Sequence, residues 1–148
     1  MRWLSFGLVL ALVLAPVLGM GAAAAKAEEQ RIDVELMVSH VSNAKGEIDP
    51  RGRKLHQKLQ GQFRYESLRV LQTRGLRLEL NEVGSVRLPN GKSVRVRPLQ
   101  LSESGVLLAV DVEGAARMDL KVRNGHLVVI GAERYQDGKL VISLEPRW

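Results

Sequence analysis

Three features of the sequence predict a mainly β fold, an antiparallel sandwich or small barrel of about eight or nine short strands with one short helix near its start. Apolar side chains recur at every second position through most of the chain beyond residue 30. The pairs Asn90-Gly91, Asn124-Gly125 and Asp137-Gly138 supply tight-turn signals between those runs. Only the segment after Pro50 shows a spacing of four.

The elements follow in order. Arg31 to Val41 (RIDVELMVSHV) sets Ile32, Val34, Leu36 and Val38 on one face and Asp33, Glu35, Met37 and Ser39 on the other, the period of a half-buried strand. After the loop SNAKGEI, Asp49 is placed to cap free amides and Pro50 to occupy a first helical position. Leu55, Leu59 and Phe63 then predict a helix of about three turns. Phe63 to Leu71, Leu76 to Leu80 and Val83 to Leu88 read as strands. Two alternating runs flank Asn90-Gly91, a pair that tolerates positive φ at both turn positions, so residues 86–97 form a hairpin. Pro98 has no N–H to donate, which implies an edge or a bulge before Leu99 to Leu101. Val106 to Val112, Met118 to Val122, Leu127 to Ile130 and Leu140 to Leu144 complete the set.

Residues 1–27 differ from the rest: Arg2, then a run without charge from Trp3 to Ala25, with Pro16 and an alanine cluster near its end. This is the pattern of a secretory signal peptide, with cleavage expected after Ala27 through the Ala25-Lys26-Ala27 site. An uncleaved anchor is the rival reading, because the uncharged run is long enough to span a bilayer. The expected mature unit is one domain, residues 28–148, exported to the periplasm or the extracellular space, with no other membrane-spanning stretch. The 148-residue chain contains no cysteine, which excludes disulfides, zinc-thiolate sites, Fe–S clusters and a thiol nucleophile, so stability must come from the core.

Catalytic patterns are absent from the sequence. Ser102-Glu103-Ser104-Gly105 lacks the first glycine of a nucleophile elbow, and the glycines lie in hairpins rather than in phosphate loops. His40, His56 and His126 are far apart and lack metal-ligand spacing. Pairs such as His56 with Asp49, or His40 with Asp33, can be composed on paper, but surface or boundary histidines are the expectation. Asp111, Glu113 and Asp119 read as the polar side of two adjacent strands rather than a calcium loop. No cofactor is implied and no enzyme activity is expected.

Charge is unevenly distributed. The net charge of the whole chain is +6, yet residues 51–97 alone carry 12 basic and 3 acidic side chains, net +9. Alternation predicts an outward basic face formed by Arg64, Arg69, Arg77, Arg87, Lys92, Arg95 and Arg97, whose self-repulsion an anionic partner would relieve. For an exported protein that partner is an envelope protein or an anionic envelope component, a lipid head group or an acidic glycan, so contact with a membrane surface is open. Nucleic acid is not expected, because export removes it and few aromatics are present to stack on bases. The bland reading is a solvated face salt-bridged to Asp33 and Glu35. The terminal Trp148 reads as a cap on the core edge or as a docking anchor.

The run MDLKVRNGHLVVIGAERYQDGKLVISL resembles the strand-turn-strand region of secretin outer-membrane channel domains, and RIDVELMVSHVS resembles their opening strand. The likeness covers about 35 residues. The chain lacks that family's long multi-hairpin lip, so channel formation is not carried over. The layout is also similar to that of small exported bacterial proteins of unassigned function, which implies a compartment and no activity. The expected role is a non-catalytic binding or structural component of a bacterial envelope assembly that uses sheet edges and the basic face. The alternative is a carrier or sensor of an acidic lipid or small molecule in the sandwich interior.

Overall fold

The computed structural model describes residues 30–148; the expected signal segment 1–27, with the expected cleavage residues Ala25 and Ala27, lies outside them. Eight strands form two antiparallel four-stranded sheets that do not close into a barrel. They are β1 (Arg31–Ser42), β2 (Ser67–Glu79), β3 (Gly84–Arg87), β4 (Ser93–Ser102), β5 (Gly105–Val112), β6 (Ala116–Val122), β7 (Val128–Tyr135) and β8 (Gly138–Arg147). Sheet A has the order β2-β1-β8-β7 and sheet B the order β3-β4-β5-β6.

Alternation builds the core between the sheets. Ile32, Val34, Leu36 and Val38 of β1 and Leu140, Ile142 and Leu144 of β8 pack against Val94, Val96, Val106, Leu108 and Val110 of sheet B, all buried. Sheet A also buries part of its second face. A 3-10 turn (Pro50–Gly52) leads into α1 (Arg53–Leu59), whose Leu55 and Leu59 are fully buried against Met37, Val41, Leu68, Val70 and Val141. Met37 and Ser39, expected to face water with Asp33 and Glu35, are therefore buried beneath this helix.

Asp49 caps the helical segment as expected. Its carboxylate accepts from the backbone N–H groups of Arg51 and Val70 and from the Arg51 guanidinium. These bonds, the Arg51 side chain first, hold the Asp49 carboxyl well below the usual carboxylate range. The helix is shorter than its sequence period suggested: Gln60 leaves the helical conformation and Gly61 has φ +86°, so Phe63 falls outside it.

β2 is one long strand where two were expected, because β1 pairs with it across its length from Arg31↔Glu79 to Ser42↔Ser67, with one bulge at Val38/Ser39. Pro98 stands at a bulge of β4, and its carbonyl accepts from the Asn81 N–H. The β3–β4 hairpin uses a three-residue loop, with Leu88 N–H donating to the Lys92 carbonyl and Gly91 N–H to the Leu88 carbonyl. Gly91 alone takes positive φ there (+86°), not both turn residues as Asn-Gly suggested. A Cβ at Gly91 meets no neighbour within 4 Å, so the cost of Gly91→Ala is conformational. We expect that substitution to lower stability by about 1 kcal/mol, which urea denaturation would check.

The other two turn signals are also displaced in role. Asn124-Gly125 joins β6 of sheet B to β7 of sheet A rather than two strands of one sheet. The β7–β8 turn is made by Gln136 and Asp137, with Gln136 at φ +53°, while Gly138 opens β8. Gly138 is needed for close approach, since a Cβ there would collide with the carbonyl oxygen of Val41 on β1.

Candidate functional site

The seven basic residues singled out from the sequence do not share one face. Arg77 lies on β2 of sheet A, opposite Asp33 of β1, and its Nε is 3.9 Å from that carboxylate. Alternation fixes the side of a residue's own strand but not the sheet to which the strand belongs, and Arg77 is thereby parted from Arg95 and Arg97. Lys92 sits in the β3–β4 turn and pairs with Glu133 of β7 at 3.5 Å; Asn90 donates to the same carboxylate at 3.2 Å. Arg69 stands opposite His40 at one end of sheet A, and Arg64 lies in the segment between α1 and β2.

Arg87, Arg95 and Arg97 remain together on the outer face of sheet B. The register places Ser85, Arg95, Asp111 and Arg117 in one row across the four strands. The next row continues through Arg97, Ala109 and Asp119. Asp111 is the cross-strand neighbour of Arg95, but its carboxylate is held by Arg117 of β6 at 3.3 Å. Among the described residues, Arg87, Arg95 and Arg97 have no carboxylate within salt-bridge distance. An open depression of about 330 Å³ beside Arg95 and Arg97 is lined by Val83, Ala109 and Met118, with Arg117, Asp111 and Asp119 also on its lining. Val83 is 54% exposed, one of two large apolar side chains so placed among the described residues.

No local cue points to Arg117, because its segment is nearly neutral and only strand pairing brings it into the row of Arg95 and Asp111. Asp111 and Asp119 do lie on the polar side of two adjacent strands, as expected.

A second concentration of functional groups lies at the end of sheet A formed by the last residues of β1 and the β7–β8 turn. Two aromatic–histidine groups flank it: His40 packs edge-on against Tyr135, which lies against the core between the sheets, while His56 packs against Tyr65 and Tyr65 against Phe63 on the helix side. Neither histidine forms the acid–base pair composed from the sequence. His40 Nε2 is 3.2 Å from Asp137 and 3.3 Å from the Tyr135 carbonyl, while His56 Nδ1 is 2.6 Å from the Tyr65 hydroxyl. Burial pushes the Tyr65 phenol above its ordinary value. Ser42 Oγ donates to the other oxygen of Asp137 at 3.0 Å, so this carboxylate bridges Ser42 and His40. The histidine does not stand between the carboxylate and the serine, so the trio lacks a nucleophile–base contact.

No group of His, Asp and Glu among the described residues has the arrangement of a metal site. Trp148 is 39% exposed, and its backbone bonds with the Asn124 side chain. Comparison with protein-family models, with curated proteins and with solved structures returned no match. The class defined by fold and surface is thus a two-sheet sandwich with a helix on one outer face and, on the other, three arginines without a salt-bridge partner among the described residues.

Proposed function

We propose that the protein is an exported, non-catalytic binding component of a bacterial envelope assembly, and that it docks the acidic surface of a partner protein on the outer face of sheet B. The observation that carries this reading is the set of Arg87, Arg95 and Arg97, left without carboxylates while Arg117 takes Asp111. Guanidinium groups placed this way favour forked contacts with carboxylates. The exposed Val83 and the Ala109 and Met118 floor give the patch an apolar centre within a charged rim, the layout of a protein-docking surface. Export rests on the uncharged run and alanine cluster of residues 1–27.

The interior-carrier alternative draws less support. The space between the sheets is filled by buried Val, Leu and Ile side chains, and the depression described above lies on the outer face of sheet B.

The test is affinity purification of the tagged mature chain from cross-linked envelopes at low and high salt, with the triple variant Arg87→Glu, Arg95→Glu, Arg97→Glu in parallel. A defined set of envelope proteins should be recovered with the wild type, reduced at high salt and lost with the variant, whose thermal unfolding should stay close to wild type because all three side chains are exposed. Undiminished recovery with the folded variant would reject the basic face as the docking surface.

A further inference from the structure

We propose that the β7–β8 end of sheet A is a binding cleft for an acidic saccharide, a separate site from the outer face of sheet B. Pairing across the hairpin places Arg134 of β7 directly opposite Lys139 of β8. Like charges at directly opposed positions repel and destabilise a sheet. Among the described residues neither has a carboxylate within salt-bridge distance, and the same is true of Arg64 across the cleft. These three cations line a depression of about 330 Å³ that also contains Phe63, Tyr65, Asn43, Gln136 and Asp137. Asp137 is the one acid there, and it is already engaged by His40 and Ser42.

Each component has a counterpart in one ligand chemistry. The opposed Arg134 and Lys139 supply a positive site whose repulsion a carboxylate or phosphate substituent removes. Lys139 Nζ lies 4.6 Å from the centroid of the Phe63 ring, which holds the ammonium beside that ring within the cleft lining. Phe63 and Tyr65, tilted against each other with centroids 5.8 Å apart, offer an apolar wall for a sugar ring. The amides of Asn43 and Gln136 can serve hydroxyl groups through both donors and acceptors. The wall extends around Phe63 and Tyr65 into a neighbouring depression of about 430 Å³ that includes His56, Gln60 and one further acid, Glu66, so there is room beyond one sugar unit, with the anionic group seated at the Arg134 and Lys139 end. A lipid surface fits less well, because Phe63 and Tyr65 are half-buried in the cleft rather than projecting from it.

The proposal predicts a trade-off between stability and binding at one pair of residues. The mature chain, and its variant Arg134→Ala with Lys139→Ala, would be titrated calorimetrically and followed by thermal unfolding with a short oligogalacturonate. Neutral galacto-oligosaccharide, inorganic phosphate and anionic phospholipid vesicles would be the comparison probes. Oligogalacturonate should bind the wild type and raise its melting temperature, as any ligand selective for the folded state does, while the neutral sugar and phosphate should not. The double variant should melt at or above the wild-type temperature without ligand and bind about tenfold more weakly or worse. Arg95→Glu with Arg97→Glu should leave this binding intact, which separates the cleft from the docking face. An absent response, an equal response to phosphate, undiminished binding by the double variant, or vesicle binding in place of saccharide binding would each overturn the assignment.

Discussion

Replacing Leu55 and Leu59 together by alanine is expected to cost about 4–8 kcal/mol, enough to leave much of the population unfolded at ordinary temperature. Both side chains are fully buried, and they are the helix's two contributions to the second apolar cluster. Each truncation removes transfer free energy and leaves a cavity, at roughly 2–5 kcal/mol for a core leucine. The pair should fall somewhat short of additivity, because the two residues share partners. A seven-residue helix has little stability of its own, so without these anchors α1 should detach and expose Met37, Val41, Leu68, Val70 and Val141 to water. Urea denaturation followed by circular dichroism, with limited proteolysis across residues 43–66, checks the prediction. A loss below about 1 kcal/mol would mean that sheet A does not need its helical cover.

That helix also marks where the sequence was legible and where it was not. Asp49, Pro50, Leu55 and Leu59 announced a capped amphipathic turn, and the turn is there. What α1 packs against was not written locally. Met37 and Ser39 alternate with apolar neighbours as solvent-facing residues do, and only the folding of residues 50–59 across sheet A buries them. The gap expected between Leu71 and Leu76 was overridden in the same way, because the long β1 offers a continuous pairing partner across it. Local period identifies strands well; the length of a strand depends on its neighbour.

The candidate sites show the same division. The excess of positive charge in residues 51–97 was visible, but its partition between two sheets was not. Arg95 and Arg97 share a face because they are two apart on one strand, whereas Arg77 belongs to the other sheet. The end cleft was missed because its parts come from residues 43, 63–65 and 134–139, each unremarkable in its own segment. The turn expected at Asp137-Gly138 would have set Gln136 rather than Arg134 opposite Lys139, so only the observed turn at Gln136 and Asp137 brings the two cations face to face.

Removing both cations that hold Glu145 should reverse the sign of its pH dependence. Glu145 is buried on β8, with its side chain 9% exposed, and its Oε1 accepts from Lys54 Nζ and from an Arg147 guanidinium nitrogen, each at 2.8 Å. Lys54 also donates to the Gly125 carbonyl at 3.2 Å, so this cluster fastens α1 to β8 and to the β6–β7 connection. Burial works to raise the Glu145 carboxyl, but the hydrogen bonds from Lys54 and then Arg147 outweigh it and hold the group below the usual glutamate range. A folded-state value below the unfolded one, about 4.3, means that the stabilisation is present above that pH and is lost on acidification. In the variant Lys54→Met with Arg147→Met only burial remains, and the carboxyl moves above 4.3. Its contribution is then neutral at low pH and destabilising as pH rises, because the folded state must either keep the proton or bury an unpaired charge. Both lysine and arginine are largely exposed, so methionine retains their stems without new burial. We expect the variant to lose about 2–3 kcal/mol at neutral pH, somewhat less than a fully buried pair because both cations are exposed, and little near pH 3. Asp49 contributes equally to both proteins, so the difference between their denaturation profiles from pH 3 to 7 isolates Glu145. A difference that does not grow with pH would show that the cluster acts through packing rather than charge.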